Sequence, residues 1–261
     1  MTKRHVVIPD CQVRPEHDVF FLAAIGDYIA EKRPDTIVCL GDFADMASLS
    51  SYDVGKKSFE GRRYRHDIDA AKYAMSLLMD PIEQVQDQAL RNKKKSYNPK
   101  KIFLLGNHED RINRVTECDP KLDGTISIDD LGYNEWGWEV HPYKDVVIED
   151  GIAYSHVFCS GVMQRPISSA RALLQKKHMS SIQGHVQKME IFNEYRADGK
   201  MLTGLFAGCC YLHDEDYLGA QGNNYFRGIH MLYDVDDGQF HCHSITLDYL
   251  TNRFLKKYKG K

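Results

Sequence analysis

Short apolar runs, each ending at a polar residue or a glycine, constrain the fold of this sequence more than any other feature. The runs are rich in Val, Ile and Leu and are too short to be helices, so they predict buried strands. They cover residues 5–9, 36–40, 101–105, 152–155 and 181–183. Helical patterns lie between the first of them, which favours a fold in which strands and helices alternate along the chain.

Polar side chains of the types that bind metals follow each of these runs. They form five groups: Asp10-Cys11-Gln12, Gly41-Asp42-Phe43-Ala44-Asp45, Gly106-Asn107-His108-Glu109, His156, and Gly184-His185-Val186-Gln187. Ligands of open α/β sheets bind beyond the carboxyl ends of the strands. If these strands share a sheet, the five groups therefore converge at one edge. A single Gly-Asp or His is typical of a turn or a cap, but five groups in this order predict a metal site.

The rest of the chain predicts helices in its first half and hairpins in its second half. A helix is predicted at about residues 17–32, and an apolar stripe with helical spacing covers residues 68–89, where Pro81 predicts a kink or two abutting helices. Turns such as Asp198-Gly199 and Asp237-Gly238 join later strand-like segments. Those segments are 146–149, 191–196, 202–207, 230–235 and 241–247. This order of elements predicts an α/β fold of two packed sheets with helices outside.

Composition places the chain among ordinary globular proteins. Its 261 residues are 43% hydrophobic and 27% charged, and no repeat or linker divides them, so one domain spanning residues 1–261 is predicted. The net charge of −3 excludes binding of nucleic acid by bulk electrostatics. No apolar run is long enough for a signal peptide or a membrane span, and the seven cysteines include no Cys-x-x-Cys pair. These features predict a cytoplasmic protein with no membrane partner.

The ordered motifs resemble those of the calcineurin-like metallophosphoesterases. The resemblance rests on Gly41-Asp42-x-x-Asp45, Gly106-Asn107-His108-Glu109, the isolated His156 and Gly184-His185, and it extends from Asp10 to Gln187. Residues 41–64 and 106–111 are also similar to members encoded by tailed bacteriophages, which would place the protein in the host cytoplasm. The family fold implies an α/β, four-layer sandwich of two mixed β-sheets flanked by helices. Members of the family bind two divalent metals and hydrolyse phosphomonoesters or phosphodiesters.

The resemblance also implies a role for each residue of the motifs. Asp42 would bridge the two metals, and a bridging hydroxide would attack phosphorus in line. His108 would act as general acid at the leaving oxygen, oriented by Asp45. The first metal site would consist of Asp10, Gln12 and Gln187 with Asp42, and the second metal site of Asn107, His156 and His185 with Asp42.

Two glutamines depart from the family pattern, because Gln12 and Gln187 stand where the family has histidine. Both belong to the first metal site. Amide oxygen is a harder and weaker donor than imidazole, so an asymmetric pair is predicted, with a tighter second site and a looser first site. The expected cofactors are two divalent ions, Mn²⁺ ahead of Mg²⁺, Ni²⁺, Fe²⁺ or Zn²⁺. An empty first site with loss of catalysis is the alternative.

The phosphate-binding arginine of the family's serine/threonine phosphatases is missing, since Asp45 is followed by Met46-Ala47 rather than by Arg-Gly. The candidate replacements are Arg111, Arg114 and, in a basic insert at about residues 46–66, Arg62. Guanidinium groups suit this role because they bind phosphate in a bidentate fork. A diester carries less charge than a monoester dianion, so the missing arginine slightly favours diesters.

Three functions remain open on the sequence alone. The leading one is a phosphodiesterase or phosphatase that acts on a small phosphoester or nucleotide-like substrate. The second is a DNA-processing nuclease of the same fold, which would need a strand-binding surface near Arg62 or at residues 91–101. The third is a non-catalytic binding module on a degenerate metal site, in which Asp42 and His108 would be dispensable. The sequence specifies neither the natural substrate nor the oligomeric state.

Overall fold

Two β-sheets and a short hairpin carry the fold in the computed structural model, which describes residues 2–214, 222–223 and 225–258. The strands are β1 (Lys3–Ile8), β2 (Thr36–Cys39), β3 (Lys100–Leu104), β4 (Glu139–His141), β5 (Val147–Glu149), β6 (Ile152–Ser155), β7 (Cys159–Ser160), β8 (Arg165–Pro166), β9 (Ser181–Gln183), β10 (Met189–Tyr195), β11 (Met201–Ala207), β12 (Gly228–Asp236) and β13 (Gln239–Thr246). The helices are α1 (Phe21–Lys32), α2 (Tyr64–Arg91), α3 (Arg111–Cys118), α4 (Ala170–Lys177) and α5 (Leu247–Phe254). The apolar runs of the sequence form β1, β2, β3, β6 and β9.

The larger sheet has the strand order β13-β12-β1-β2-β3-β4. Its strands β1 to β4 are parallel neighbours, whereas β12 runs antiparallel to both β1 and β13. Central strands of a parallel sheet are covered on both faces, which explains why β2 consists only of buried residues. Helices α1 and α2 pack on one face, where Ile8, Ile25 and Leu78 share a buried apolar cluster.

The smaller sheet has the strand order β10-β11-β9-β6-β5. Strands β6, β9 and β11 are parallel, and β5 and β10 pair antiparallel at its edges. One face packs on the larger sheet, so that Val7 and Val38 share an apolar cluster with Ile182. Helix α4 covers the other face, where Leu173 and Phe206 are buried together. The protein is therefore an α/β sandwich of two mixed sheets with helices outside, as the element order predicts.

Helix α2 continues through Pro81, so of the two predicted alternatives, a kink or two abutting helices, the second was wrong. An interior proline costs a helix about 3 kcal/mol, because it removes one backbone hydrogen bond and crowds the preceding turn. Close packing against α1 offsets this cost, since a Cβ on Gly26 of α1 would lie 2.3 Å from the Leu78 carbonyl oxygen. Helix α1 itself begins at Phe21, later than predicted. Within the described ranges, none of the helices has the length and apolar content that a bilayer span requires.

The five polar-ended runs do not share one sheet, which corrects the premise of the sequence interpretation. Strands β1, β2 and β3 belong to the larger sheet, and β6 and β9 to the smaller one. Their carboxyl ends still meet because the two sheets pack face to face. His156, after β6, reaches the Leu40 carbonyl oxygen beyond β2, and the backbone N–H of His185, after β9, reaches Asp10 beyond β1. The candidate site therefore lies between the sheets.

Candidate metal centre

The loops after β2 and β3 interlock at two glycines. Gly41 has a φ of +90°, and a Cβ there would lie 2.3 Å from the Leu104 carbonyl oxygen. A Cβ on Gly106 would lie 2.0 Å from Asp42 Oδ1. Only glycine allows so close an approach, and the backbone N–H of His108 can therefore donate to Asp42 Oδ1 at 2.8 Å. The two glycines thus fix Asp42 directly against the loop that follows β3.

The four predicted donors of the second metal site come together in the structure. One atom each from Asp42, His156 and His185 lies within 4.8 Å of the others. Asn107 Oδ1 lies 3.0 Å from His156 Nε2 and 2.7 Å from His185 Nδ1. His156 Nδ1 contacts the Leu40 carbonyl oxygen at 2.8 Å, which leaves Nε2 facing Asp42 Oδ2 at 3.4 Å. A backbone contact of this kind is the usual way in which a metal-binding histidine ring is oriented.

Burial keeps the imidazoles of the second metal site neutral, as metal ligands must be. It lowers the pKa of His156 to about 4 and also lowers the pKa of His185. Burial alone would raise the pKa of the Asp42 carboxyl, but the facing imidazoles of His108 and His156 bring it below its usual value. At neutral pH the site therefore offers one carboxylate and two uncharged rings to a cation.

The first metal site is held together by its backbone. The Asp10 carboxylate is fully buried and accepts the backbone N–H of His185 at 3.1 Å, and a Cβ on Gly184 would lie 2.4 Å from Asp10 Oδ1. The backbone N–H of Gln12 donates to the Asp42 carbonyl oxygen at 2.8 Å. Burial, reinforced by the negative charge of Asp42, raises the pKa of Asp10 well above its usual value. Asp10 and Asp42 can both be ionised in this buried environment only if a cation compensates their negative charges.

The glutamine side chains of the first metal site support cation binding to different degrees. Gln12 is 2% exposed, and its Oε1 has no hydrogen-bond partner among the residues that the structure describes. A buried carbonyl oxygen without a partner costs about 1–3 kcal/mol, which a bound cation would remove. Gln187 Oε1 accepts a hydrogen bond from the Tyr211 hydroxyl at 3.1 Å. A set of carboxylate and amide oxygens fits a hard divalent cation.

Four of the predicted metal ligands have left-handed backbone conformations. The φ angle is +42° at Gln12, +47° at Asp42, +65° at His185 and +60° at Gln187. Each such residue costs on the order of 1 kcal/mol, and backbone strain of this kind clusters at functional sites. The strain at four predicted ligands supports a functional role for this region.

His108 and Asp45 form the predicted acid–orienter pair. His108 Nδ1 hydrogen-bonds Asp45 Oδ1, and Nε2 lies 3.7 Å from Asp42 Oδ2. Burial alone would lower the pKa of His108, but the carboxylates of Asp42 and Asp45 together outweigh it and raise that pKa to about 9. Arg14, which the sequence interpretation did not single out, donates through Nε to the other oxygen of Asp45. The protonated ring is thus held with Nε2 directed at the metal centre.

Arg111 is the candidate arginine that lies against this pair. Its Nη1 donates to the Asp45 carbonyl oxygen at 2.7 Å, and its Nη2 lies 3.3 Å from His108 Nε2. Arg114 instead donates to the Asn107 carbonyl oxygen at 2.8 Å and is half-exposed. Arg111 can therefore present a cation beside His108, whereas Arg114 holds the backbone of a metal ligand.

Arg62 stabilises the insert rather than the metal centre. It forms an ion pair with Asp53 at 2.9 Å and donates to the Ala47 carbonyl oxygen at 3.1 Å. Lys56 also binds Asp53, at 2.7 Å. Two of the basic residues of the insert are therefore occupied within it, and the contacts of Arg62 give no support for phosphate binding.

Glu109 is a site residue whose role the sequence did not reveal. Its carboxylate is fully buried and accepts the backbone N–H groups of Asp42, Ala44 and Gly106, each at 2.9 Å. Glu109 thereby ties the loop that carries Asp42 to the loop that carries Asn107. The only signal in the sequence is its place as the last residue of the Gly106-Asn107-His108-Glu109 group, which does not indicate which groups it would contact.

Comparison with known proteins finds two relatives from phages. The chain is 36% identical to the "Gene 54 protein" of Mycobacterium phage L5 and 33% identical to that of Mycobacterium phage D29, in each case over 87 residues. The match spans 33% of this chain and 32% of each phage protein. No family model matches the chain. Both relatives are phage proteins, and their names give no activity.

One of the solved structures that match the chain is a remote neighbour. One solved crystal structure aligns with 94% of this chain and 100% of its own chain, at 10% identity and a TM-score of 0.39. A score this low carries no argument about fold or function. The candidate metal centre therefore stands on its own geometry.

Proposed function

We propose that the protein is a divalent-metal phosphoester hydrolase of the calcineurin-like type, with that family's four-layer sandwich fold. One observation carries the proposal: Asp42, Asn107, His156 and His185, which follow four different strands, bring their donor atoms together at the edge between two sheets. Strand-end loops of this kind are where α/β proteins bind ligands. The orphaned Oε1 of Gln12 supports a second cation beside the first.

The side chains around the metal centre suit phosphoester hydrolysis. When bound, two divalent cations would supply activated water and neutralise the charge that develops on the phosphoryl group. His108, held by Asp45, would carry the proton on Nε2 that goes to the leaving oxygen. Arg111 Nη2, beside that nitrogen, would bind a phosphoryl oxygen. We infer Mn²⁺ as the cofactor, because the sites combine imidazole with hard oxygen donors.

A hydrolysis panel tests the proposal directly. Aryl monoester, aryl diester, cyclic nucleotide and DNA would each be tried with Mn²⁺, Mg²⁺, Ni²⁺ and Zn²⁺, and with EDTA as the metal-free control. We expect turnover that requires the metal and is lost in His156→Ala but kept in His243→Ala, since His243 is an exposed histidine on β13. Metal binding without turnover of any substrate would instead favour the binding-module function.

A further inference from the structure

The segment that links the two histidines of the second metal site is basic throughout. Residues 151–189 contain no Asp or Glu, although the whole chain has a net charge of −3. The segment includes His156 and His185 and runs from β6 through β7, β8 and α4 to β9. Its cations are Arg165, Arg171, Lys176, Lys177 and Lys188. The acidic residues of the chain therefore all lie outside this segment, which carries two of the predicted metal ligands.

Most of these cations have no carboxylate partner among the described residues. Lys176 Nζ donates to the Ser160 hydroxyl and Lys177 Nζ to the Cys159 carbonyl oxygen, both at 2.8 Å. Arg171 lies over the ring of Phe192. Of the five, only Lys188 forms an ion pair, with Glu190 at 2.7 Å. Lys100 and Arg253, by contrast, are paired with glutamates.

An apolar tip projects from the same surface. Val162 is 100% exposed and Met163 is 75% exposed, at the turn between β7 and β8. The base of this hairpin is held by the bond from the Ile167 backbone N–H to the Phe158 carbonyl oxygen at 2.8 Å. The lysines of α4 hold strand β7 of this hairpin in place. Two neighbouring, largely exposed apolar side chains on such a hairpin are suited to contact with a ligand.

The hairpin and α4 border the candidate metal centre. Val162 is six residues beyond His156, so it lies within about 20 Å of that ligand. The side chain of Gln183, which directly precedes Gly184-His185, accepts the backbone N–H of Phe158 at 3.2 Å and donates to the Ile167 carbonyl oxygen at 3.3 Å. The strand that presents His185 thus also carries the hairpin.

We propose that this surface binds a single strand of nucleic acid and leads one of its phosphodiesters to the metal centre. The basic face is defined as Arg165, Arg171, Lys176 and Lys177 with the tip Val162–Met163. Uncompensated cations suit a row of phosphates, and exposed apolar side chains suit unpaired bases. The inference rests on the proposed function and narrows its substrate to a polynucleotide.

A second basic cluster, at the end of α2, lies too far away to serve the same strand. Lys93, Lys94 and Lys95 follow the end of α2, whose 28 residues extend about 42 Å from its start beside the insert. Strand β3 begins shortly afterwards at Lys100, at the opposite ends of the strands from the metal centre. The interpretation of residues 91–101 as a strand-binding surface therefore loses its basis, but the cluster provides a matched control.

Binding of a fluorescently labelled single-stranded oligonucleotide in EDTA tests the basic face without any reaction. The variant Arg165→Ala/Arg171→Ala/Lys176→Ala would be compared with Lys93→Ala/Lys94→Ala/Lys95→Ala, which removes the same charge elsewhere. Between roughly 50 and 200 mM salt, we expect the first variant to lower the slope of log K against log salt by about 2 and the second to leave it unchanged. Val162→Ser/Met163→Ser should weaken binding without changing the slope, and all three variants should keep any turnover of a small aryl phosphate.

Three results would overturn the inference: equal weakening by both charge variants, tighter binding of duplex than of single strand, or preferential binding to phosphatidylserine vesicles through the apolar tip. The proposed function fails separately. If the wild-type protein hydrolyses nothing with any metal, the hydrolase assignment falls, while the binding comparison still decides whether the basic face holds a strand.

Discussion

The two metal sites share Asp42 but are built in opposite ways. In the second metal site, neutral imidazoles and an amide oxygen meet around one carboxylate, with 2.7–3.4 Å between neighbouring donors. In the first metal site, the buried carboxyl of Asp10 faces the negative charge of Asp42. A fold can pack neutral donors together unaided, whereas like charges need a counter-ion. The comparison teaches that the second candidate site is preformed, whereas the first would depend on a bound cation.

Replacement of Asp42 by Asn gives the most severe test, because it removes the charge on which both sites depend. We expect calorimetry to show neither Mn²⁺ binding step, and hydrolysis to fall roughly 10³-fold or more, since the metals supply several kcal/mol of transition-state stabilisation. Asn has nearly the same shape and can still accept the backbone N–H of His108. Survival of one binding step would show that the two sites do not share this residue.

Glu109→Gln tests whether the buried Glu109 carboxylate fixes the relative positions of the two loops that carry Asp42 and Asn107. The amide NH₂ would face a backbone N–H that the carboxylate now accepts, so the loops of Asp42 and Asn107 should separate slightly. Replacing such a supporting residue costs about 10–100-fold in metal affinity.

The matched control for this variant is Asp67→Asn. Asp67 is also buried and accepts a backbone N–H, that of Ser48 at 2.8 Å, but it supports the insert. Both variants should lower the melting temperature, and only Glu109→Gln should weaken Mn²⁺ binding in titration calorimetry. Equal Mn²⁺ affinities in the two variants would show that Glu109 supports the fold but not metal binding.

Histidines at positions 12 and 187 should remove the difference in Mn²⁺ affinity between the two candidate sites. In Gln12→His/Gln187→His, neutral nitrogen donors replace two weak amide oxygens, so we expect the weaker Mn²⁺ binding step to tighten about tenfold and the stronger one to stay unchanged. Two-step titration calorimetry measures both constants. A change confined to the stronger step would reverse the assignment of the sites.

Asp10→Asn should stabilise the metal-free protein, which is the smallest expected effect. The folded-state pKa of Asp10 is raised above its unfolded value, so its contribution to stability is present below about pH 4 and is lost as pH rises through the folded pKa. In EDTA the melting temperature of the variant should therefore rise relative to that of the wild type as pH rises, by about 2–4 °C. Saturating Mn²⁺ should reverse the order, and an unchanged order would mean that Asp10 binds no cation.

Local patterns were sufficient to predict the turns and all the strands except β4, β7 and β8. The apolar runs formed strands, and the hairpins β10–β11 and β12–β13 close around Asp198-Gly199 and Asp237-Gly238, as glycine in a tight turn predicts. The convergence of Asp42, Asn107, His156 and His185 was also predictable, because each follows a buried strand. The strands and turns depend on residues close together in sequence, whereas the convergence follows from the rule that ligands bind at the ends of strands.

Features that depend on distant contacts were not predictable. The division of the polar-ended strands between two sheets leaves no trace in any single run. Arg14 binds Asp45 across 31 residues, and Glu109 binds Asp42 across 67. Helix α2 continues through Pro81 with α1 packed closely against it, whereas the proline alone left two abutting helices open. In each case tertiary packing decides between local alternatives.

The left-handed backbone at Gln12, Asp42, His185 and Gln187 has a consequence for protein engineering. Glycine adopts such angles without a steric penalty, so a search for thermostabilising substitutions would rank these four positions among the most attractive in the chain. The resulting glycine variants would be more stable but would lack these four predicted metal ligands. Any redesign for robustness should therefore hold these four residues fixed and seek its gains elsewhere.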